Sequence, residues 1–148
     1  MMQTPQAPIR SGFGMRSTAR DVVGEKDLNG KTYIVTGGYS GIGVESVKAL
    51  AHAGARVVVP ARNRDKAKEA LENIVGQVEM ADLDLGDLES VRKFAREFSE
   101  TGCRLDALIN NAGIMACPLT RIGDNWESQF ATNHIGHFEL ARGLERNL

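Results

Sequence analysis

The fold of this chain is decided by residues 36–43, which read Thr36-Gly37-Gly38-Tyr39-Ser40-Gly41-Ile42-Gly43. An apolar run at residues 33–35 precedes this stretch, and apolar residues at helical spacing follow it. A strand, a glycine turn and a helix in this order direct free backbone N–H groups and the positive end of the helix dipole to one point. Because a pyrophosphate is stabilised at such a point, the stretch predicts a dinucleotide-phosphate site.

The glycine spacing in this stretch supports the same interpretation. Gly37, Gly41 and Gly43 form the pattern G-x-x-x-G-x-G, which differs from the commoner G-x-G-x-x-G. It meets the same needs, which are a tight turn, close approach of the backbone to phosphate and packing of the helix on the strand. The alternative is a loop that simply needs glycine, and the flanking strand and helix disfavour it. No Gly-Lys-Ser/Thr follows, which disfavours a P-loop.

Composition limits the class of protein. The chain has 148 residues, 42% of them hydrophobic, which fits one domain. Its net charge of -1 comes from interspersed acidic and basic residues, so we expect no nucleic-acid partner. Cys103 and Cys117 have neither C-x-x-C spacing nor a disulfide framework, which favours a reducing cytoplasmic location. No apolar run is long enough for a signal peptide or a membrane span, so we expect a cytoplasmic protein without a membrane partner.

The pattern after Lys31 alternates short apolar runs with segments of helical period. This alternation is typical of a parallel sheet covered by helices, so the expected fold class is α/β with a Rossmann-type doubly wound sheet. Four strands are predicted at residues 32–36, 56–60, 77–81 and 105–110. Four helices are predicted, the first ending at Gly54, the second at residues 65–74, the third beginning after the N-cap Asp87 and the last running from about Asp124 onward.

The domain organisation predicted from this pattern has two parts. Residues 29–148 are expected to form the NAD(P)-binding domain. Residues 1–28 are polar and are expected to form an arm on that domain. Within the arm, Thr18 and Asp21 match a capping box, which predicts a single helical turn.

Three motifs in the same order carry a resemblance to a known family. They are residues 36–43, then Asn110-Asn111-Ala112-Gly113 after strand four, then Asn133-His134-Ile135-Gly136-His137-Phe138. Together they resemble the short-chain dehydrogenase/reductase family, and the last motif is similar to its retinol-dehydrogenase-like branch and to bacterial oxidoreductases. The similarity extends from residue 28 to about residue 142. It implies an oxidoreductase that transfers a hydride between a nicotinamide cofactor and a carbonyl or alcohol.

The resemblance also implies which residues bind the cofactor. The pyrophosphate is expected at the turn formed by Gly37, Tyr39, Ser40, Gly41, Ile42 and Gly43. Asn111, Ala112 and Gly113 are expected to line the adenosine ribose and nicotinamide side. Asp84, followed by Leu85, matches the adenine-contacting Asp of the family. From the residues alone, Asp82 and Asp87 could equally accept a hydrogen bond from an exocyclic amine, and Asp84 could be an ordinary turn carboxylate.

The preference between NADP and NAD is predicted from the tip of strand two. No acidic residue stands there to bind a ribose 2′-hydroxyl, and Arg62 stands there instead. A planar guanidinium matches a phosphate with two hydrogen bonds, so Arg62 favours NADP over NAD. Ser40 departs from the pattern of many NADP-preferring members, which carry a second basic residue at that position. An exposed surface cation is the alternative for Arg62.

The last helix contains the predicted catalytic residue, Asn133. We place it in the apolar stripe of Trp126, Phe130, His137 and Leu140, where an amide needs a partner. In the family, an Asn here distorts the helix and holds a water in the proton relay to a catalytic Lys. His134 and His137 stand three residues apart and could share a metal, but no third ligand is in view, so no metal is expected.

The rest of the family's catalytic set has no counterpart in this sequence. Neither Tyr33 nor Tyr39 is followed by a lysine four positions on. The resemblance implies that the Tyr-x-x-x-Lys pair and a Ser lie beyond Leu148, so the sequence resembles the N-terminal half of a family member. Catalysis by these 148 residues alone is therefore not expected, and a homo-oligomer is expected only of a complete member.

Two further functions remain as alternatives to the oxidoreductase. One is a non-catalytic dinucleotide-binding module or a subunit completed by another chain. The other is an S-adenosylmethionine methyltransferase, which shares the strand, glycine turn and helix but is not expected to carry the other two motifs. We favour the oxidoreductase, because Asn133 has little use without the chemistry it serves.

Overall fold

A parallel sheet of four strands lies at the centre of the computed structural model, which describes residues 10–148. The strands are β1 (Thr32–Val35), β2 (Arg56–Ala61), β3 (Gln77–Asp82) and β4 (Ala107–Ile109). Their order across the sheet is β3-β2-β1-β4, and every neighbouring pair is parallel. The chain therefore builds outward from β1 in one direction and then crosses to the other side of β1 for β4. This reversal confirms the doubly wound α/β fold.

Helices follow the strands and cover both faces of the sheet. They are α1 (Ala19–Val23), α2 (Gly41–His52), α3 (Arg64–Leu71), α4 (Leu88–Glu100), α5 (Ser128–Phe130) and α6 (His137–Leu144). A π-helical segment, Ala131–Gly136, joins α5 to α6, and a short 3-10 helix, Glu145–Asn147, follows α6.

Neighbouring strand residues point into two separate cores, as the alternation of side chains along a strand requires. Ile34 and Val58 belong to a cluster with buried residues of α4 and α6. Val35, Val57 and Val59 belong to a second cluster with buried residues of α2 and α3. Because both faces are covered, the central strands are almost entirely apolar, as parallel sheets usually are.

The clearest helical pattern of the sequence is confirmed in α4. Residues 88, 91, 94, 95 and 98 are apolar at steps of three and four, which predicts one apolar face. Leu88 is half-buried, and the other four are buried in the core next to β1; they are Val91, Phe94, Ala95 and Phe98. Asp87 is the N-cap, because its carboxylate accepts a hydrogen bond from the Glu89 N–H at 3.0 Å. An aspartate at this position satisfies one of the free N–H groups at the start of a helix.

Several predicted bounds differ from the structure by one to three residues. The helix predicted at residues 65–74 is α3, which begins at Arg64 because the Asn63 side chain accepts a hydrogen bond from the Lys66 N–H at 2.9 Å. It ends at Leu71, although Ile74 still packs against the core. The strand predicted at residues 105–110 is reduced to Ala107–Ile109.

The start of the last helix was predicted wrongly. Residues near Asp124 form a hairpin of two short strands, β5 (Arg121–Ile122) and β6 (Trp126–Glu127). Asn125 lies in the turn with a left-handed backbone at φ +68°, which Asn tolerates better than most residues. The helix begins only at Ser128, where the Glu127 carboxylate accepts hydrogen bonds from two N–H groups of the first turn.

The N-terminal arm has the predicted helical turn. The Thr18 hydroxyl accepts a hydrogen bond from the Asp21 N–H at 3.1 Å, and the Asp21 carboxylate accepts one from the Thr18 N–H at 2.8 Å. Val23 and Leu28 pack against the core of the α2 side. Residues 1–9 of the predicted arm lie outside the described residues. Within residues 10–148, no helix has the length and hydropathy that a membrane crossing requires.

Candidate cofactor site

The glycine turn after β1 leads into α2, whose first backbone N–H groups have no side-chain cap. The chain turns between Thr36, which is buried, and Ser40, the N-cap of α2. Ser40 makes no side-chain capping hydrogen bond, so it leaves the first N–H groups of α2 available. Available N–H groups at the positive end of a twelve-residue helix can bind an anion, and residues 36–43 predict a phosphate there.

The three predicted glycines serve different needs. A side chain at Gly43 would collide with the Gly37 carbonyl oxygen and lie 2.5 Å from the Asn111 amide nitrogen. A side chain at Gly37 would lie 3.0 Å from the Ala112 Cα. Gly41 has a left-handed backbone at φ +54°, and no atom lies within 4 Å of the position that a Cβ would occupy there. Gly37 and Gly43 thus allow the turn to pack on residues 111–112, whereas Gly41 borders open space.

A cleft of about 380 Å³ opens beside this turn, at the carboxyl ends of the strands. In a doubly wound sheet, ligands bind at this edge, where the strand order reverses. Ten of the thirteen predicted site residues line the cleft, and they are Gly37, Tyr39, Ser40, Ile42, Arg62, Asp84, Leu85, Asn111, Ala112 and Gly113. The others are Gly41 and Gly43 within the turn, and Asn133, which lies against Gly113.

Five lining residues were not predicted as site residues. They are Thr36, Pro60, Leu83, Ile114 and Thr132. Thr36 and Pro60 stand at the ends of predicted strands, so the rule that ligands bind at the carboxyl ends of strands could have found them. Leu83, Ile114 and Thr132 are sequence neighbours of the predicted residues 84, 113 and 133.

Arg62 and Asp84 lie on the same side of the cleft. An Arg62 guanidinium nitrogen is 3.9 Å from an Asp84 carboxylate oxygen, and the Arg62 side chain is 74% exposed. The second Asp84 oxygen accepts a hydrogen bond from the Gly86 N–H at 2.9 Å. Asp84 is therefore both a turn carboxylate and a cleft residue. An exposed ion pair of this length is weak, so it leaves the guanidinium available to a phosphate.

Asn111 fastens the end of β4 to the turn after β1. Its side-chain amide donates to the Thr36 carbonyl oxygen at 2.9 Å and to the Gly37 carbonyl oxygen at 3.3 Å. The backbone N–H groups of Asn111 and Ala112 both donate to the Thr36 hydroxyl oxygen at 3.0 Å. Asn111 and Ala112 thus form one wall of the cleft, and the threonine hydroxyl fixes that wall in place.

The side chain of Asn133 is bound to the backbone of Ile114, within a distorted part of the last helix. Its Oδ1 accepts from the Ile114 N–H at 2.9 Å, and its Nδ2 donates to the Ile114 carbonyl oxygen at 2.7 Å. The helix is π-helical from Ala131 to Gly136, around this residue. The sequence placed Asn133 in the apolar stripe, and that placement was wrong. Asn133 and Phe130 are exposed, while His137 and Leu140 are buried.

The two histidines near Asn133 have separate environments. His137 Nε2 is 2.9 Å from the Thr36 hydroxyl oxygen, and His137 Nδ1 is 3.0 Å from the Asn133 carbonyl oxygen. His134 stacks on Phe130 with ring centroids 5.2 Å apart. Within residues 10–148, no three His, Cys, Asp or Glu side chains group closely enough to hold a metal ion.

The helix that carries this site is held by close packing and by a buried carboxylate. A side chain at Gly136 would collide with the Leu85 carbonyl oxygen, so glycine allows the helix to touch the cleft wall. Glu139 in α6 is only 8% exposed and binds Arg142 and Arg92, the latter from α4. Hydrogen bonds from Arg142 and then Arg92 lower the pKa of Glu139 from 4.5 to about 2.

Known proteins share this architecture. A family model described as short chain dehydrogenase matches residues 31–148. The short-chain dehydrogenase TIC 32 B, chloroplastic, of Brassica napus is 45% identical over 91% of this chain and 44% of its own length. Retinol dehydrogenase 14 of Mus musculus is 40% identical over 79% of this chain and 40% of its own length. The chain thus spans less than half the length of these relatives.

Solved structures agree with the sequence relatives. A protein from Mycobacterium paratuberculosis superposes with a TM-score of 0.80 at 42% identity, covering 89% of this chain and 47% of that one. A metagenomic short-chain oxidoreductase in complex with NADP superposes with a TM-score of 0.71 at 31% identity, covering 82% of this chain and 57% of that one.

Proposed function

This chain belongs to the short-chain dehydrogenase family, and from that premise we propose that its cleft holds NADP for hydride transfer between a carbonyl and an alcohol. The observation that carries the proposal is the cleft itself. It lies where the strand order reverses, beside a helix start whose N-cap makes no side-chain hydrogen bond. A pyrophosphate at this point meets free N–H groups and the helix dipole.

The preference for NADP rests on Arg62. It follows β2 directly, no carboxylate stands at the tip of that strand, and its guanidinium is three-quarters exposed at the cleft. An arginine in this place accommodates a 2′-phosphate, whereas NAD is usually recognised by an acid there. The NADP complex of the metagenomic relative supports this assignment.

We assign to the other predicted residues the roles that the family implies. A carboxylate oxygen of Asp84 accepts a hydrogen bond from the adenine amine. The adenosine ribose and the nicotinamide lie on the side of the cleft lined by Asn111, Ala112 and Gly113. Asn133 holds the water of the proton relay, from a helix already distorted at its position. When bound, the nicotinamide supplies or accepts the hydride.

The reaction of the family uses side chains that have no counterpart in this sequence. A family member uses a Tyr, a Lys and a Ser to protonate and polarise the substrate oxygen, and this sequence has no tyrosine followed by a lysine four positions on. We therefore propose that the chain supplies the cofactor half of the reaction. The second candidate is a non-catalytic dinucleotide-binding module or a subunit completed by another chain. Reading the coding DNA past Leu148 for a Ser followed by Tyr-x-x-x-Lys distinguishes the two.

The remaining proposals concern the setting of the protein. We propose an arm at residues 1–28 on a cofactor domain at residues 29–148, a small carbonyl or alcohol as substrate, and no nucleic-acid partner. A homo-oligomer is proposed for the complete protein. A cytoplasmic location is proposed from the composition, and the chloroplastic relative from Brassica napus gives the competing location. Imaging of a tagged full-length protein decides between them.

The cofactor assignment is tested by titrating NADPH and NADH into the chain and its Arg62→Ala variant. We expect NADPH to bind more tightly than NADH. Loss of a charge-assisted phosphate contact of about 1.5–3 kcal/mol should weaken NADPH binding by about 10- to 150-fold and leave NADH binding nearly unchanged. The matched control is Arg64→Ala, because Arg64 is an exposed neighbour that is bound to Asp82 at 2.7 Å. Equal affinities for the two cofactors in the unsubstituted chain would refute the NADP assignment.

A further inference from the structure

The imidazole of His137 joins two parts of the cleft that are far apart in sequence. His137 is the first residue of α6 and is 6% exposed. One ring nitrogen meets the Thr36 hydroxyl at the end of β1, 101 residues away, and the other meets the Asn133 carbonyl oxygen one turn earlier. Neither contact follows from the role already proposed for Asn133.

The tautomer of His137 follows from its partners. A carbonyl oxygen can only accept, so the proton lies on Nδ1 and is donated to the Asn133 carbonyl oxygen. In the neutral ring Nε2 is then an acceptor. The Thr36 hydroxyl donates to it at 2.9 Å in preference to the Ile109 carbonyl oxygen, which is 3.4 Å away. That hydroxyl has one proton and two lone pairs, and the N–H groups of Asn111 and Ala112 occupy the lone pairs. Every hydrogen-bonding position of the Thr36 hydroxyl is therefore used.

These bonds form one continuous path. It runs from the backbone of residues 111 and 112 through the Thr36 hydroxyl and the His137 ring to the backbone carbonyl of Asn133. The side chain of Asn133 is fixed separately, by the backbone of Ile114. We propose that His137 is a positioning residue that, as the Nδ1–H tautomer, orients the Asn133 carbonyl and ties it to the wall of the cleft at residues 111–112. The proposal rests on the proposed function insofar as Asn133 and that wall serve the cofactor reaction.

The two hydrogen bonds of the His137 ring can be removed separately by substitution. His137→Gln keeps an acceptor near the Nε2 position for the Thr36 hydroxyl but loses the donor to Asn133. His137→Asn keeps a donor near the Nδ1 position for the carbonyl four residues earlier but loses the contact with Thr36. His137→Phe keeps the ring volume and loses both. If His137 only filled space in the core, the different substitutions would not affect the two readouts selectively.

The first measurement is the ¹⁵N spectrum of histidine-labelled, unsubstituted chain. We expect the His137 signals of a protonated Nδ1 and a bare Nε2. A protonated Nε2 with a bare Nδ1 would overturn the proposal. This measurement needs no variant, so a failure of any variant to fold leaves it intact.

The second measurement compares the variants by NADPH titration and by hydrogen exchange of the Ile114 N–H, which donates to Asn133. We expect His137→Phe to weaken NADPH binding and to speed Ile114 exchange, each by about three- to tenfold, the loss of one or two hydrogen bonds. His137→Gln should speed the exchange of the Ile114 N–H and retain most of the affinity for NADPH. His137→Asn should weaken NADPH binding and leave the exchange nearly unchanged. His134→Phe is the control and should change neither.

The outcomes separate the two proposals. Equal effects of all three His137 variants, or an effect of His134→Phe as large as theirs, would overturn the positioning role. An unsubstituted chain that does not bind NADPH would overturn the proposed function. In that case the nitrogen spectrum and the exchange of the Ile114 N–H still decide whether His137 positions Asn133.

Discussion

The two walls of the cleft are built in opposite ways. The turn at residues 36–43 is made of backbone, with glycines where a side chain would collide or where φ is positive. The segment Ala131–Gly136 is held by side chains, through the amide of Asn133 and the ring of His137. A wall made of backbone can be recognised in the sequence, because glycine is required wherever a side chain would collide. A wall made of distant hydrogen bonds depends on partners that sequence spacing does not identify.

The backbone wall is most sensitive at Gly43. A methyl group added there would strike the Gly37 carbonyl oxygen and press on the Asn111 amide, which are fixed parts of the turn. We expect Gly43→Ala to weaken NADPH binding by about 5- to 150-fold, because overpacking at this level costs about 1–3 kcal/mol. Fluorescence titration with NADPH measures the loss.

Gly102→Ala is the matched control for this change. Gly102 does not line the cleft, and no atom lies within 4 Å of the added methyl group, so only the left-handed backbone at φ +68° opposes it. That conformation costs a residue other than glycine about 1–2 kcal/mol. A Gly43→Ala protein that binds NADPH as tightly as Gly102→Ala would show that close packing does not set the geometry of the turn.

The wall made of side chains is tested at Asn133. Asn133→Ala removes both hydrogen bonds to Ile114, so we expect a loss of about 1–3 kcal/mol in the free energy of unfolding and a return of residues 131–136 toward α-helix. Thermal denaturation and backbone chemical shifts measure the two effects. Asn133→Asp is the comparison, because it keeps the acceptor for the Ile114 N–H and loses the donor. A π-helical segment that persists in Asn133→Ala would mean that packing, and not this amide, distorts the helix.

A smaller effect is expected at Glu139, which fastens the same helix to α4. Its pKa in the folded protein is about 2, below its ordinary 4.5. Its contribution to stability is therefore fully present above about pH 4.5 and is lost as the pH falls toward 2. Because both arginine partners are largely exposed, we expect no more than about 1 kcal/mol.

The measurement is the difference in unfolding free energy between the unsubstituted chain and Glu139→Gln at several pH values. We expect the difference to be largest above pH 4.5 and to disappear near pH 2. The subtraction removes the contributions of other carboxylates with lowered pKa values, such as Glu79 and Asp106. A difference independent of pH would contradict the role of the ionised carboxylate.

The sequence predicted the sheet, the turn and α4 because each depends on local pattern. Ten predicted residues reached one cleft for the same reason, since the carboxyl ends of parallel strands meet at one edge. The hairpin of β5 and β6 escaped prediction because each strand has only two residues and its turn depends on a left-handed Asn125. The stripe of the last helix was misplaced because a π-helical segment interrupts the period of 3.6 residues.

Contacts across the cleft were the least predictable feature. The sequence predicts Arg62 and Asp84 as two separate contacts, one to phosphate and one to adenine, and they stand 3.9 Å apart. The spacing of His134 and His137 was compatible with a shared metal, which the sequence disfavoured, but it did not predict that the His137 ring contacts Thr36 and the Asn133 carbonyl oxygen. Such pairs depend on how two elements cross, and a single sequence carries no direct signal of that.

The two edge strands of the sheet differ in charge, and this difference determines which edge can accept a further strand. The outer edge is β3, where Gln77, Glu79 and Asp82 are exposed and Glu79 is bound to Arg56 of β2 at 2.7 Å. Charges on an edge strand discourage another strand from joining it. The opposite edge is β4, Ala107–Ile109, which has no charged residue along its length. A further strand that approached this sheet would therefore meet charged side chains at β3 and only apolar residues at β4, so it would pair more readily with β4.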